Sequence, residues 1–363
     1  MRIPNLDLAR AAAIIGVVQY HTVVWLPHMP AWIKITTNTG EYGLDLFFAL
    51  SGYLIGGIYF REYFDNGDVD IGLFLTKRAT RIIPPYFVAL FFVYLGSLVF
   101  EGERFRLEYL GLVQNYLSEL PYFNASWSLC IEEHFYVLFP FIYLFLDKCV
   151  FKLKNKFSLF PVLFILFLPL TGRFLIVNKA QLSYQFGYYF TATHLHYDAI
   201  ALGVLAAYIE KRKLLFNMPK SRIISAFVPF LLLLGSLIVN TFSKGTLFVL
   251  GPTLIGLMCA MTIYLAGSGY QFNLSNHRSV RFIATISFSI YLVHGIAMNM
   301  VNKIFSYLGY SDYSLLLWFS LILASIVLGY IFYVLIERPL MDKRHALISY
   351  FCRAKTKEPL KIR

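Results

Sequence analysis

Charge is scarce in this sequence: Asp, Glu, Lys and Arg together make up only 14% of its 363 residues. Cysteine is scarce as well. The four cysteines, Cys130, Cys149, Cys259 and Cys352, are scattered and show neither a disulfide framework nor a metal-ligand spacing. Nucleotide-phosphate loops, zinc-binding helix motifs and serine-nucleophile elbows are all missing. So are internal repeats, low-complexity segments and any appended soluble domain. What fills the chain instead is apolar: 58% of its residues are hydrophobic and 18% of the chain is aromatic. No soluble core absorbs that much apolar sequence, so the expected fold is an all-α polytopic membrane bundle.

Ten apolar spans are expected, at about 8–26, 43–62, 82–100, 132–147, 158–175, 196–209, 223–241, 246–266, 283–305 and 314–336, each judged against the roughly 20 residues a helix needs to cross. The first is expected to stay in the membrane, because Arg10 lies within it and Ala11–Ala13 precede its apolar centre. The formal net charge of +12 raises the question of nucleic acid. Its placement answers otherwise. Alternate connections are basic, namely Lys77–Arg81, Lys148–Lys156, Lys211–Arg222, Arg278 with Arg281, and the tail after Arg338, while the others carry few cations: Lys34, Arg104 with Arg106, Arg173 with Lys179, and Lys244. The positive-inside rule then puts both termini in the cytoplasm and leaves no role for nucleic acid. The expected organisation is one membrane domain, 1–345, and a basic cytoplasmic tail, 346–363.

Chemistry concentrates at a few places. Arg10 and His21 interrupt the first span eleven positions apart, which returns to within about 20° of the same azimuth at a separation of about 16 Å. An arginine at mid-helix costs roughly 2.5–3.5 kcal/mol on insertion scales, so such residues face a protein interior, a wet cavity or, by snorkelling, an interface. Their shared face favours a cavity. Asp45 opens the second span near Ser51, Gly52, Gly56 and Gly57, small residues that permit close backbone approach. Arg78 and Arg81 share a helical face before Pro84 and Pro85, which are expected to set the entrance to the third span. Paired guanidiniums suit phosphate, and equally suit lipid head groups and orientation.

The fourth span begins near Trp127, Glu132 and Glu133; at ~100° per residue, at most one of the two glutamates is expected to face a site. His194, His196 and Asp198 precede the sixth span, where interfacial polarity is the expected explanation. The ninth holds Ser289, Tyr291 and His294, and the tenth ends at Glu337-Arg338-Pro339, where Glu337 is a candidate partner for an arginine.

These stretches occur together in one known pattern. Leu6-Asp7-Leu-Ala-Arg10 with His21, Gly43-Leu-Asp45 to Ser51-Gly52-Tyr53-Leu-Ile55, Arg78-x-x-Arg81, Trp127-Ser128-Leu129-x-x-Glu132-Glu133-x-Phe135-Tyr136, Ser289-x-Tyr291-Leu-x-His294 and Glu337-Arg338-Pro339 appear in order over residues 6–339. The chain thereby resembles the acyltransferase-3 family of integral membrane O-acyltransferases, typified by bacterial enzymes that O-acetylate surface polysaccharides. The resemblance implies ten membrane helices in the bacterial cytoplasmic (inner) membrane. It implies acyl-coenzyme A, usually acetyl-coenzyme A, as co-substrate with no permanently bound cofactor or metal. The acceptor it implies is a carbohydrate or lipid-linked glycan hydroxyl, as in lipopolysaccharide modification.

It also implies catalytic importance for Arg10, His21, Arg78 and Arg81. On this reading His21 is the general base, Arg10, Arg78 and Arg81 hold the donor, and Glu132 or Glu133 orients groups or binds acceptor from the outer side. Asp45, Ser51, Trp127, Ser289, Tyr291 and His294 complete the acceptor or supporting set. Direct transfer is the expected route, with an acyl intermediate on His21, Ser51 or Ser289 left open. An arginine expected near Asp198 is replaced by His196, which puts an Arg–Asp pairing there in question. The competing reading is a secondary transporter whose intramembrane Arg, His and Asp line a substrate or proton pathway. The oligomeric state is not legible.

Overall fold

The computed structural model describes residues 3–26, 39–100, 104–120, 122–150, 159–177, 190–214, 244–267, 273–309 and 314–344, with 33, 37, 102 and 348. Within these residues the chain is helical and contains no strand. Long helices are α1 (Pro4–Thr22), α2 (Gly43–Asn66), α3 (Ile71–Phe100), α4 (Trp127–Phe145), α5 (Leu159–Val177), α6 (Asp198–Lys211), α7 (Lys244–Gly267), α8 (Arg278–Tyr307) and α9 (Ser314–Phe332). Among the described residues, seven segments are long and apolar enough to cross a membrane: Gly40–Asn66, Ile71–Val99, Asn124–Lys148, Leu159–Val177, Phe248–Gly267, Arg278–Tyr307 and Leu315–Arg344. The expected first and sixth spans are also helices, α1 and α6, but α6 has only 14 residues, about 21 Å of rise. The expected seventh span, 223–241, lies outside the described residues. The same holds for Lys34, Lys152–Lys156, Lys179, Lys220, Arg222, Cys352 and the 351–363 part of the basic tail.

Local chemistry sets the helix ends. Pro4 begins α1 at a position where its missing N–H costs no helical hydrogen bond. Gly67, at φ 73°, ends α2 by donating its amide to the Tyr63 carbonyl. Asp70 then starts α3, its carboxylate accepting from Leu73 N at 3.0 Å.

The expected entrance to the third span is corrected here. The helix begins at Ile71, so Lys77, Arg78 and Arg81 belong to it and Pro84 and Pro85 fall in its interior. Their missing amides leave the carbonyls of Thr80 and Arg81 without their usual helical donors. Likewise, α1 starts four residues earlier than expected and gives way to a 3-10 turn at Val23–Trp25, and α4 starts at Trp127.

Helix α2 is the hub, packing most extensively on α6 and also on α1, α7 and α4; α8 packs on α9 and α1. The α2–α6 contact is backbone on backbone. A Cβ at Gly52 would strike the Ile200 carbonyl, one at Gly203 would strike the Ala49 carbonyl, and one at Gly56 would lie 3.1 Å from Val204 Cα. These residues form a small-xxx-small face on each helix, Gly52 with Gly56 and Gly203 with Ala207. Gly57 points elsewhere, with only Lys211 Cε at 4.0 Å from its built Cβ.

This packing makes Gly52→Val a strong test. The substitution should destabilise the detergent-purified protein by about 1–3 kcal/mol or more through overpacking, while Gly57→Ala leaves it unchanged. Thermal unfolding followed by size-exclusion chromatography measures both, and equal melting of the two variants would contradict the close crossing.

Candidate active site

The i,i+3 spacing of Arg78 and Arg81 puts both guanidiniums on one face of α3, and that face meets α1, α2, α4 and α8 around a cavity of about 110 Å³. Arg10 of α1 joins them there, as do Ser51, Glu132, Tyr136 and Tyr291. Arg10 Nη1 lies 3.5 Å from Asp7 Oδ1, an i,i+3 pair. The Tyr136 hydroxyl donates to Glu132 Oε2 at 3.2 Å. With its single proton so committed, Tyr136 accepts from Ser51, giving a relay Ser51 to Tyr136 to Glu132. Apolar walls come from Leu44, Phe47, Leu50 and Leu54 of α2. Three cations and one carboxylate in an apolar-walled hollow leave an excess of positive charge suited to phosphate oxygens.

Glu133, roughly 100° around the helix from Glu132, does not line this cavity. It is buried, and its Oε1 has no hydrogen-bond partner among the described residues. The expectation that one glutamate faces a site agrees with this arrangement. The expected outer-side role for Glu132 does not: the structure puts it with the arginines.

A second cavity, of about 290 Å³, lies further along the same helices α1, α3 and α8. Its polar lining includes His21, His294, Asn124, Asn299 and Lys303, and its aromatic lining includes Trp25, Phe92, Tyr122 and Phe123. His21 and His294 meet edge to face, ring centroids 4.8 Å apart at 63°. Each imidazole is tied to its own helix: Nδ1 of His21 lies 2.8 Å from the Val17 carbonyl, and Nδ1 of His294 lies 2.8 Å from the Tyr291 carbonyl. A carbonyl oxygen only accepts, so each Nδ1 carries a proton, and in its neutral form each ring has its lone pair at Nε2. Arg10 and His21 share a face of α1, as their spacing predicts, and serve different cavities on it.

Between the cavities stands Tyr291. On α8 the first cavity takes Ser287, Phe288 and Tyr291, and the second begins at Leu292 and His294; around the start of α4 the boundary falls between Ala125 and Ser128. The Tyr291 hydroxyl donates to the Ala125 carbonyl at 2.6 Å and accepts from Ser128. That hydrogen-bonded group forms the partition.

Other expected residues lie apart from both cavities. Asp45 Oδ1 is 3.6 Å from His196 Nε2, while His196 Nδ1 donates to the Phe190 carbonyl at 2.7 Å. Trp127 packs against Phe48, Phe190 and His196. Ser289 is fully buried and donates to Glu337 at 2.5 Å. Glu337 closes a π-turn, Tyr333–Glu337, and its hydrogen-bond partner here is this serine.

Interfacial polarity does not account for Asp198, which is fully buried. It receives both arms of the Arg173 guanidinium, at 2.7 and 2.8 Å, and the Thr253 hydroxyl at 2.6 Å. The arginine missing from the sixth-span motif is therefore supplied by α5, and Arg173 is a buried helix residue where an outer connection was expected. A lone arginine inside Pro-Leu-Thr-Gly-Arg-Phe-Leu-Ile-Val was the signal for this pair. Tyr136 and Ser128 were passed over as site residues, although Tyr136 stands one turn from Glu132. Asn299 and Lys303, at the far end of α8, offered no local signal.

Comparison with known proteins agrees with this architecture. The sequence profile described as an acyltransferase domain matches residues 3–335. O-acetyltransferase OatA of Staphylococcus aureus strain COL is 32% identical over 225 residues, covering 57% of this chain and 34% of that protein. A putative O-acetyltransferase of the same strain is 27% identical over 225 residues, covering 57% of this chain and 35% of its own length. The aligned region thus spans about a third of these relatives. No solved structure matches. With the family profile running from the start of α1 through the end of α9, the chain belongs to the acyltransferase-3 family of membrane acyltransferases.

Proposed function

We propose that this protein is a membrane-embedded O-acyltransferase that moves an acyl group, acetyl in the first instance, from acyl-coenzyme A to a hydroxyl of a cell-surface or exported carbohydrate. The observation that carries this reading is the pair of cavities strung along α1, α3 and α8, one lined by Arg10, Arg78 and Arg81 and the other by His21 and His294. Coenzyme A has the matching shape, a phosphate-rich end and a long, slender, uncharged arm. The guanidinium forks hold the phosphates, the arm follows the apolar wall of α2, and the thioester passes Tyr291 toward His21. In the ten-helix topology with cytoplasmic termini, the arginine cavity opens to the cytoplasm and the histidine cavity toward the other face.

At the histidines, the acceptor hydroxyl gives its proton to His21 Nε2 as its oxygen attacks the thioester carbonyl. The C–O bond forms, the C–S bond breaks, and the departing thiolate takes the proton from the imidazolium. The Nδ1 bond to the Val17 carbonyl fixes the ring so that Nε2 is the basic atom. Trp25, Tyr122 and Phe123 offer flat faces, and Asn124 and Asn299 offer donors and acceptors, a lining suited to a sugar ring. Asp45, Trp127 and Glu133 support the surrounding helices. The transporter reading draws no comparable support, since the family is one of acyltransferases. The surface acceptor and the bacterial cytoplasmic membrane belong to this proposal.

His21→Ala should lower acyl transfer by at least about 10²–10⁴-fold while donor binding persists, because a general base is lost and the arginine cavity is untouched. Arg10→Ala should weaken donor binding as well. Isothermal titration of acetyl-coenzyme A into purified variants, alongside mass-spectrometric counting of acyl groups on the acceptor, separates the two effects. Full transfer by a stably folded His21→Ala protein overturns the mechanism.

Replacing either Arg78 or Arg81 by lysine keeps the charge and loses the planar fork, so apparent affinity for acyl-coenzyme A should fall. Unchanged affinity in both lysine variants would make these residues determinants of orientation only.

A further inference from the structure

We propose that the groove between α8 and α9 at their Arg278 end is a binding site for the head group of an anionic phospholipid. Helices α8 and α9 pack closely at Gly329, where an added Cβ would lie 2.9 Å from Ile290 Cα. Arg278 lies twelve residues before Ile290, about 18 Å along α8. Toward that end the two helices line a hollow of about 280 Å³ with Arg278, Arg281, Phe282, Thr285, Tyr330 and Tyr333.

The lining is graded like a lipid. Arg278 and Arg281 stand one turn apart at the helix end, both exposed, and neither forms an ion pair among the described residues. Phe282 (42% exposed) and Tyr330 (47% exposed) stand beside them and touch, ring centroids 5.5 Å apart. A phosphate between the guanidiniums would gain bidentate bonds, the tyrosine hydroxyls would add donors to it, and the first methylenes of an acyl chain would lie on Phe282. Basic hollows between membrane helices are a known mode of anionic-lipid recognition.

Two features separate this site from a generic basic rim. Tyr333 opens the π-helical segment that follows α9, so one wall of the hollow ends in a locally altered helical pitch. Thr285 turns its hydroxyl back to the Arg281 carbonyl at 2.7 Å, which leaves the guanidiniums as the charged donors of the hollow. The groove lies apart from the cavities of the proposed transfer reaction and shares no lining residue with them.

Native mass spectrometry of the full-length detergent-purified protein with added phosphatidylglycerol or phosphatidylcholine tests the assignment. Wild-type protein should retain phosphatidylglycerol preferentially, and Arg278→Gln/Arg281→Gln should lower its apparent affinity by roughly tenfold to thirtyfold. Lys148→Gln, which removes an exposed cation elsewhere, should leave retention unchanged. Equal retention of the two lipids by wild type overturns the proposal without recourse to any variant. Equal retention by the double Gln variant and wild type also overturns it. Displacement of phosphatidylglycerol by millimolar inorganic phosphate would overturn it in favour of a simple anion site. Acyl transfer is not part of the readout, so failure here is distinguishable from failure of the proposed reaction.

Discussion

The backbone contact of α2 with α6 is the constraint on which the rest of the bundle depends. Where Gly52 meets Ile200 and Gly203 meets Ala49, two helices approach without side chains between them. In a bilayer there is no hydrophobic force to press helices together, so such close packing supplies dispersion contact that lipid tails cannot match. Because α2 is the hub, this one crossing fixes how it presents its other faces to α1, α4 and α7. Leu44, Phe47, Leu50, Ser51 and Leu54, all on α2, then form a wall of the arginine cavity.

A second fixed point is the pair Arg173–Asp198. Both residues are essentially inaccessible, 1% and 0% exposed on their side chains. The guanidinium is answered by two carboxylate oxygens, two backbone carbonyls and a hydroxyl, drawn from α6, α7 and the turn before α6. Such a pair adds little net stability when complete, and breaking it would strand a charge at a cost of about 3–5 kcal/mol. Its value is positional, since only one arrangement of α5, α6 and α7 satisfies every donor and acceptor.

Much of this was legible from local rules. The shared face of Arg10 and His21, the i,i+3 pairing of Arg78 with Arg81 and the divergent directions of Glu132 and Glu133 all follow from helical geometry, which is set by adjacent residues. The α2 glycines were legible as allowing close approach by a helix or a ligand; Gly52 and Gly56 meet a helix, and Gly57 does not. What local rules missed was set by partners remote in sequence. Pro84 and Pro85 read as a helix start because proline is common there; only packing of the preceding turns keeps α3 continuous. Arg173 read as a loop residue because its partners, Asp198 and Thr253, lie 25 and 80 positions away. The meeting of His21 with His294 and the Tyr291 partition likewise join helices that no local window contains.

The partition has a bearing on the membrane itself. Polar hollows that follow one another along a membrane bundle offer a route for protons, and a membrane potential supplies about 2.3 kcal/mol per elementary charge per 100 mV to drive them. A wire of hydroxyls would carry protons along that route, each oxygen accepting one and releasing another. Here the line of hydroxyls runs from Ser128 to Tyr291 and stops at the Ala125 carbonyl, an oxygen with no proton to release. The seam between the two hollows is thus polar enough to be held by hydrogen bonds, yet wired to a dead end. At that seam a proton finds an acceptor and no onward donor.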